Sequence, residues 1–212
     1  MPPQAFRFLD LPPEIRQKIY TLICTSDSLC VPLDEPDAHS SYPSNLLLTN
    51  SQLYHEVRPF YFTVNAFSVT VRRQNEDWAY FLSPSFLDNR RQVRSLEITL
   101  LRWGSKNFFH ETLIPVLEDC ILNGRLRCLE IRVSDKWFRS QIGQRNTGNY
   151  QGDTLSTLKR ILLDPYLEKA VLKAGVISDT ESNDYDEKPT LTDVTLKLLE
   201  PHLKEAGERR YF

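Results

Sequence analysis

The chain has 212 residues, a hydrophobic content of 41% and a formal net charge of -2 at pH 7. This length allows one large packed domain or two small ones, and the small net charge argues against a protein that is basic overall and coats nucleic acid. No apolar run reaches the roughly 18–20 residues that cross a bilayer, and "MPPQAFRF" lacks the features of a secretory signal. We therefore expect no membrane partner.

The segment "DLPPEIRQKIYTLIC" predicts a helix that stops near Thr25 or Ser26. Pro12 and Pro13 suit a first turn, where the N–H groups have no partner within the helix, and Glu14 meets the positive end of the helix dipole. Apolar residues recur at helical spacing and predict a buried face. They are Ile15, Ile19, Leu22 and Ile23.

Residues 25–45 hold three prolines and no sustained period, which predicts a long mobile loop. A second helix is predicted to begin between Ser44 and Asn50, with a capping box formed by Thr49 and Gln52. Its apolar stripe consists of Leu46, Leu53, Val57 and Phe60. The alternating run "AFSVTV", residues 66–71, predicts a strand.

The middle of the chain predicts a strand–helix–strand unit. Its strands cover residues 93–101 and 126–134, and its helix covers 109–124 and ends at an Asn-Gly pair. A crossover through a helix makes the two strands parallel neighbours. Both strands carry the frame R-x-L-E-I, at 94–98 and 127–131, which suggests a repeat as in leucine-rich arrays, although two copies do not define a solenoid.

The remaining elements are predicted from shorter signals. Helices are expected at 75–82, 154–163 and 165–174, and from 191 onward with a buried stripe of Leu191, Val194, Leu198 and Leu203. Polar composition predicts a loop at 139–153 and a solvated acidic segment at 178–188.

The four cysteines, Cys24, Cys30, Cys120 and Cys128, are interpreted as free thiols. They form no C-x-x-C pair, and no cysteine–histidine cluster has the spacing of a zinc site, so neither a metal nor another cofactor is expected. Free thiols are typical of a reducing compartment, so we predict a cytoplasmic or nuclear protein.

No motif for catalysis is visible, and the chain is predicted not to be an enzyme. The four histidines are scattered, and the chain contains no G-x-S-x-G, H-E-x-x-H, Walker or G-x-G-x-x-G motif. The carboxylate pairs Glu118–Asp119 and Asp184–Asp186 have no neighbour that would tune a pKa for acid–base work.

A central group of basic and aromatic residues supports an alternative function, nucleic-acid binding. The group consists of Arg94, Arg102, Trp103, Arg127, Arg132 and Trp137. The same pattern arises when arginines on the exposed face of a sheet neutralise Glu97 and Glu130, and we favour that interpretation.

Two Glu-x-Arg triplets, Glu14-Ile15-Arg16 and Glu56-Val57-Arg58, lie in the two predicted N-terminal helices. Residues two apart on a helix point to nearly opposite sides, so one member of each triplet can face the other helix. A crossed pair, Glu14 with Arg58 or Arg16 with Glu56, would determine how the helices cross. The alternative is four solvated charges that contribute little.

The order "FLDLPPEIRQKIYTLIC", variable loop, "LLLTNSQLYHEVRPFYFTVNAFSV" resembles the fungal F-box-like proteins, including the family with two E-x-R motifs. The resemblance covers about the first third of the chain. It implies a small helical module that docks on the Skp adaptor of a cullin–RING ubiquitin ligase, while a second region recruits a cargo protein. The implied docking residues are Leu9, Leu11, Pro12, Ile15 and Ile19.

We predict an α+β protein with an F-box-like helical module at 1–72 and a helix-and-sheet region at 73–212, with helices on one face of its sheet. The two regions share one core if the strand at 66–71 joins the later sheet. The expected function is a non-catalytic protein-interaction adaptor, the substrate-recruiting subunit of an SCF-type ubiquitin ligase. One alternative is an F-box-like scaffold without a ligase. The other is nucleic-acid binding through the central Arg/Trp face.

Overall fold

The computed structural model describes residues 7–26, 30–33, 42–71, 79–101, 108–143, 151–177 and 191–199. Its α-helices are α1 Pro13–Cys24, α2 Ser44–Leu47, α3 Ser51–Val64, α4 Ala79–Leu82, α5 Leu87–Arg90, α6 Ile114–Leu122, α7 Asp135–Gly143 and α8 Gln151–Leu162, with a further helical turn at 195–199. Short 3₁₀ turns lie at Phe8–Asp10 and Pro84–Phe86, and a π-helical segment, Phe108–Leu113, leads into α6. Its strands are β1 Val31–Pro32, β2 Ala66–Val71, β3 Ser95–Leu100, β4 Cys128–Ser134, β5 Lys169–Gly175 and β6 Leu191–Asp193. The protein is therefore a mixed helix-and-sheet structure, as predicted.

The strands form one sheet in which spatial order follows chain order, from β1 to β6. The first five strands are parallel, and β6 is antiparallel to β5. Because crossovers between parallel strands are almost always right-handed, this strand order places the connecting helices on one face of the sheet. The predicted strand–helix–strand unit is thus confirmed. Within the described ranges, no helix is long and apolar enough to cross a membrane.

The two R-x-L-E-I frames lie side by side in register. Leu96 pairs with Leu129, Glu97 with Glu130 and Ile98 with Ile131. Apolar residues alternate with polar ones along each strand, and the apolar rows are buried towards the helices. The turns before the two strands are also joined, because the Arg127 amide donates to the Arg94 carbonyl at 2.9 Å. The suspected repeat is therefore a real structural correspondence between two adjacent strands.

One hydrophobic core runs through the described part of the chain. It includes Tyr61 of α3 together with Ile98 of β3, Leu117 of α6 and Leu158 of α8. Strand β2 pairs with β3 along its whole length, so the sheet crosses the expected boundary at residue 72. The two predicted regions share one core, which is the arrangement that the sequence left open.

Two expectations about the N-terminal helices are wrong. Helix α1 buries Arg16, Tyr20 and Cys24 rather than its aliphatic stripe. Helix α3 is capped by Asn50, whose side-chain oxygen accepts from the Gln52 amide at 2.7 Å, and not by a Thr49 capping box. Asn50 is the N-cap because it has the extended backbone that this position requires. Thr49 lies in the preceding turn, where its hydroxyl donates to the Leu46 carbonyl.

The predicted loop at 25–45 contains an edge strand. Strand β1 pairs with β2, and Val31 and Leu33 are buried. The sequence did not predict this strand, because two apolar residues on either side of a proline are too short a pattern. The strand forms because the neighbouring edge of β2 offers backbone groups to pair with.

The C-terminal elements differ most from expectation. Residues 169–175 form β5 instead of a helix, because pairing with β4 outweighs the helical preference of their Ala, Leu and Lys residues. Part of the predicted loop at 139–153 is helical, since α7 continues to Gly143 and α8 begins at Gln151. Strand β6 occupies 191–193, although Val194 and Leu198 are buried as predicted. The predictions for 75–78, 178–188 and Leu203 lie outside the described residues.

Candidate protein-docking surface

A bidentate ion pair joins α1 to α3. Arg16 Nε donates to Glu56 Oε2 at 3.0 Å, and Nη2 donates to Oε1 at 2.9 Å. Its remaining nitrogen, Nη1, donates to the backbone carbonyls of Leu9 and Leu11. This is one of the two crossed pairs that the Glu-x-Arg triplets predicted. It holds α1, α3 and the turn before α1 in one arrangement.

Glu56 is the centre of a larger hydrogen-bond network. Its carboxylate also accepts from the Tyr20 hydroxyl at 2.8 Å and from Gln52 Nε2 at 2.9 Å. The hydrogen bonds, first of all those from Arg16, lower the pKa of Glu56 to about 2. Burial, together with the bond to Glu56, raises the pKa of Tyr20 to about 12. Near neutral pH these shifted pKa values keep Glu56 ionised and Tyr20 protonated, which suits a structural role.

The ion pair determines which side of α1 faces outward. Because Arg16 and Tyr20 point at α3, the aliphatic residues on the other side lie at the surface: Ile15 is 40% exposed, Leu22 85% and Ile23 47%. Ile19 is half-buried between them. We call the surface formed by Leu11, Pro12, Ile15, Ile19, Leu22 and Ile23 the α1 face. The predicted buried face of the first helix is therefore wrong, whereas Leu53 and Val57 of the second predicted stripe are buried.

The resemblance named five docking residues, and the structure brings most of them to this surface. Pro12 and Ile15 are exposed, and Leu11 and Ile19 are half-buried. Leu9 instead packs against the core, in a short turn that Arg16 holds through its carbonyl. Sequence reasoning missed Leu22 and Ile23 as surface residues. The signal that could have found them is the row Arg16, Tyr20 and Cys24 on the opposite side of the helix.

The second crossed pair, Glu14 with Arg58, does not form. Glu14 is exposed, and Arg58 does not pair with it. Arg58 Nε donates to Asn89 Oδ1 at 2.7 Å, and its guanidinium lies 5.4 Å from the centre of the Tyr54 ring. Arg58 is thus directed away from α1.

The polar face of the sheet carries a charge network of its own. Arg132 bridges Glu97 and Glu130, and Lys173 Nζ lies 2.8 Å from Glu130 Oε2. Burial raises the pKa of Glu97. Burial acts in the same direction on Glu130, but hydrogen bonds from Lys173 and Arg132 outweigh it and lower the pKa of that carboxyl. The like charges that parallel register places side by side are neutralised by the two cations.

The residues predicted as a nucleic-acid face do not form one basic surface where the structure describes them. Arg94 pairs with Glu168 at 3.0 Å, Arg132 pairs with glutamates, and Arg127 donates to the Ile121 and Leu126 carbonyls. Trp137 packs against the core. Arg102 and Trp103 lie outside the described residues. The favoured interpretation, arginines that neutralise Glu97 and Glu130, matches the observed pairs.

The residues considered for chemistry are dispersed. His55 is exposed against the Tyr54 ring, Asp119 pairs with Arg91 and Glu118 pairs with Arg160. Among the described residues, no group of His, Cys, Asp and Glu side chains could hold a metal ion. The four cysteines are free thiols, and Cys24 and Cys120 are buried.

Comparison with known proteins returns no matching family model, no similar curated protein and no similar solved structure. The resemblance to F-box-like proteins therefore depends on the N-terminal motifs alone.

Proposed function

We propose that the protein is a non-catalytic interaction adaptor, in which helices α1 to α3 form an F-box-like module and the α1 face docks on an adaptor of the Skp type. The observation that carries this proposal is the orientation of α1. A helix that packs against a protein core normally buries its aliphatic side. Helix α1 instead exposes Ile15, Leu22 and Ile23 and buries an arginine.

Well-formed hydrogen bonds to Glu56 determine the orientation of α1. The paired Arg16 and Glu56 hold the helix with two parallel hydrogen bonds, and Tyr20 adds a third contact to the same carboxylate. A row of exposed aliphatic residues that the fold holds in place is typical of a protein-binding surface. Pro12 and Pro13 begin the helix and restrict its first turn, so little conformational entropy is lost on docking.

An amphipathic helix that presents aliphatic residues about one helical turn apart suits a partner with an apolar groove. The resemblance to F-box-like proteins implies a Skp-type adaptor as that partner, and the ligase subunit is our leading function for this reason. If α1 docks on another protein, the chain is a scaffold that keeps the F-box-like arrangement without a ligase.

The test is binding between the purified chain and a purified Skp-type adaptor, measured by calorimetry. We expect a dissociation constant of about 10 μM or tighter. The double variant Ile15→Ser, Leu22→Ser should weaken binding by at least about tenfold, because it places two hydroxyls in the apolar contact. The matched control is Leu122→Ser, which changes an exposed leucine on α6.

Two results would contradict the proposal. No association at about 50 μM of each protein would exclude adaptor docking and leave the scaffold alternative. Equal loss of affinity in the double variant and in Leu122→Ser would show that binding does not use the α1 face. Circular dichroism of each variant verifies that the fold is retained.

A further inference from the structure

Arg58, the arginine of the second Glu-x-Arg triplet, is not used by the link between α1 and α3. It lies in a cavity of about 200 Å³ at the side of α3. The cavity, which we call the Arg58 pocket, is lined by Tyr54, His55, Arg58, Pro59, Gln92 and Arg125. Gln92 and Arg125 come from the turns that precede β3 and β4, so three separate parts of the chain meet there.

The Arg58 pocket has an excess of positive charge. It contains two guanidinium groups, and no carboxylate is among its lining residues. Six other arginines, Arg16, Arg91, Arg94, Arg132, Arg139 and Arg160, form ion pairs with carboxylates. Within the described ranges, neither Arg58 nor Arg125 forms such a pair. Two such neighbouring cations attract an anion.

The orientation of Arg58 leaves the terminal nitrogens of its guanidinium group available to a ligand. Asn89 accepts the Nε–H at 2.7 Å, and the Tyr54 ring lies against the guanidinium. These contacts use the Nε side and the flat face of the group. Within the described part of the chain neither terminal nitrogen donates to a protein acceptor, so both can donate to a ligand. An arginine held in this way loses little entropy when it binds an oxyanion with paired hydrogen bonds.

Gln92 adds a second requirement on the ligand. Its Oε1 atom is buried and, among the residues that the structure describes, accepts no hydrogen bond. A buried acceptor without a donor costs free energy, and a ligand that supplies the donor, once the side chain turns towards the pocket, recovers it. The volume of the cavity suits a small head group better than a drug-sized molecule, which needs at least about 300 Å³.

We propose that the Arg58 pocket binds a phosphate group, held by the two guanidiniums, on a ligand that also donates a hydrogen bond to Gln92. A phosphate carries up to two negative charges and several acceptor oxygens, which matches two arginines better than a single carboxylate does. The source of the group is either a phosphorylated side chain or a small phosphate compound. This site is separate from the α1 face and does not depend on adaptor docking.

The first experiment is an NMR titration of the full chain with inorganic phosphate and with sulfate, following the Arg58 Nε–H and the Gln92 side-chain amide. Hydrogen phosphate can donate to Gln92, whereas sulfate cannot, so phosphate should bind more tightly. The variant Gln92→Leu should remove this preference. No shift at about 10 mM phosphate would overturn the proposal, and sulfate binding as tight as phosphate would overturn the role of Gln92.

The second experiment tests the arginines. Arg125→Gln should weaken phosphate binding by about tenfold or more, because its exposed side chain contributes charge without supporting the fold. Arg58→Lys, which keeps the charge but loses the planar donor pair, should also weaken it. The control is Arg139→Gln, which removes one exposed arginine from α7. If Arg125→Gln and Arg139→Gln bind phosphate equally well, the pocket is not the site.

A third arm separates the two sources of the phosphate group. A short serine-phosphorylated peptide is compared with its unphosphorylated form and with inorganic phosphate, by fluorescence anisotropy and competition. Tighter binding of the phosphopeptide than of inorganic phosphate identifies a phosphorylated protein segment as the ligand, and equal binding identifies a small phosphate compound. A peptide that binds equally with and without its phosphate would contradict the proposal.

Discussion

Arg16 shows how one residue can decide which side of a helix becomes the surface. The side chain is long, so its stem covers apolar neighbours while its guanidinium reaches Glu56 and the carbonyls of Leu9 and Leu11. Burying an arginine is unfavourable unless its charge and its donors find partners, and here they do. The aliphatic residues of α1 are left at the surface as a consequence.

This orientation predicts opposite responses to truncation on the two helices. Leu53→Ala in α3 should reduce the free energy of unfolding by about 2–5 kcal/mol, because it opens a cavity at a buried site. Leu22→Ala in α1 should change it by no more than about 0.5 kcal/mol, because that side chain already faces water. Urea denaturation of both variants measures the difference. Equal costs would show that α1 packs through its aliphatic side after all.

At the scale of elements, α1 and α3 are joined by a carboxylate with an unusually low pKa. The folded-state pKa of Glu56, about 2, lies below the ordinary value of 4.5. The unfolded chain therefore binds more protons than the folded chain between these values, and the stabilisation by Glu56 is fully present above pH 4.5 and is lost as the pH falls towards 2.

We therefore expect the stability difference between the wild type and Glu56→Gln to depend on pH in that window. Above pH of about 5 the wild type should be more stable by about 1–2 kcal/mol, a value that allows for solvent screening at the carboxylate. The difference should shrink as the pH approaches 2. Urea denaturation across this range measures it, and a difference that stays constant with pH would contradict the ion pair.

Several elements could be predicted from local patterns alone. Strands β2, β3 and β4 alternate apolar and polar residues with many β-branched side chains, so period and propensity agree. In strand β5 period and propensity disagree. Its sequence "KAVLKAG" favours a helix, and pairing with the edge of β4 outweighs that preference. Strand β1 is only two residues long and has almost no local signal.

The candidate sites also differ in how much of each the sequence indicates. The Glu-x-Arg spacing gave the link between Arg16 and Glu56 as one of two possible crossed pairs, because helix geometry directs only one member of each triplet towards the other helix. The resemblance predicted only Leu11, Pro12, Ile15 and Ile19 of the α1 face, because counting apolar residues assigns Leu22 and Ile23 to the core. The Arg58 pocket could not be predicted, since Gln92 and Arg125 reach it only through the order of the strands.

At the scale of the whole molecule, the sheet makes the N-terminal helices and the later strands one folding unit. Strand β2 follows α3 directly and pairs with β3 along six positions, and Phe67 and Leu96 lie in one buried row. A module cut at residue 72 would lose this neighbour and leave the edge of β2 unpaired. An N-terminal segment that shares its core in this way is not an independent domain.

The shared core predicts a single cooperative transition on unfolding. Leu53→Ala lies in α3 and Ile98→Ala lies in β3, at opposite sides of the expected boundary, and both side chains are buried in the same core. Each variant should lower the urea midpoint of the whole molecule by an amount that corresponds to about 2–5 kcal/mol. Tryptophan fluorescence and circular dichroism should report coincident curves for the wild type and for both variants. Two separate transitions, with Leu53→Ala shifting one and Ile98→Ala the other, would show that the N-terminal helices fold independently of the sheet.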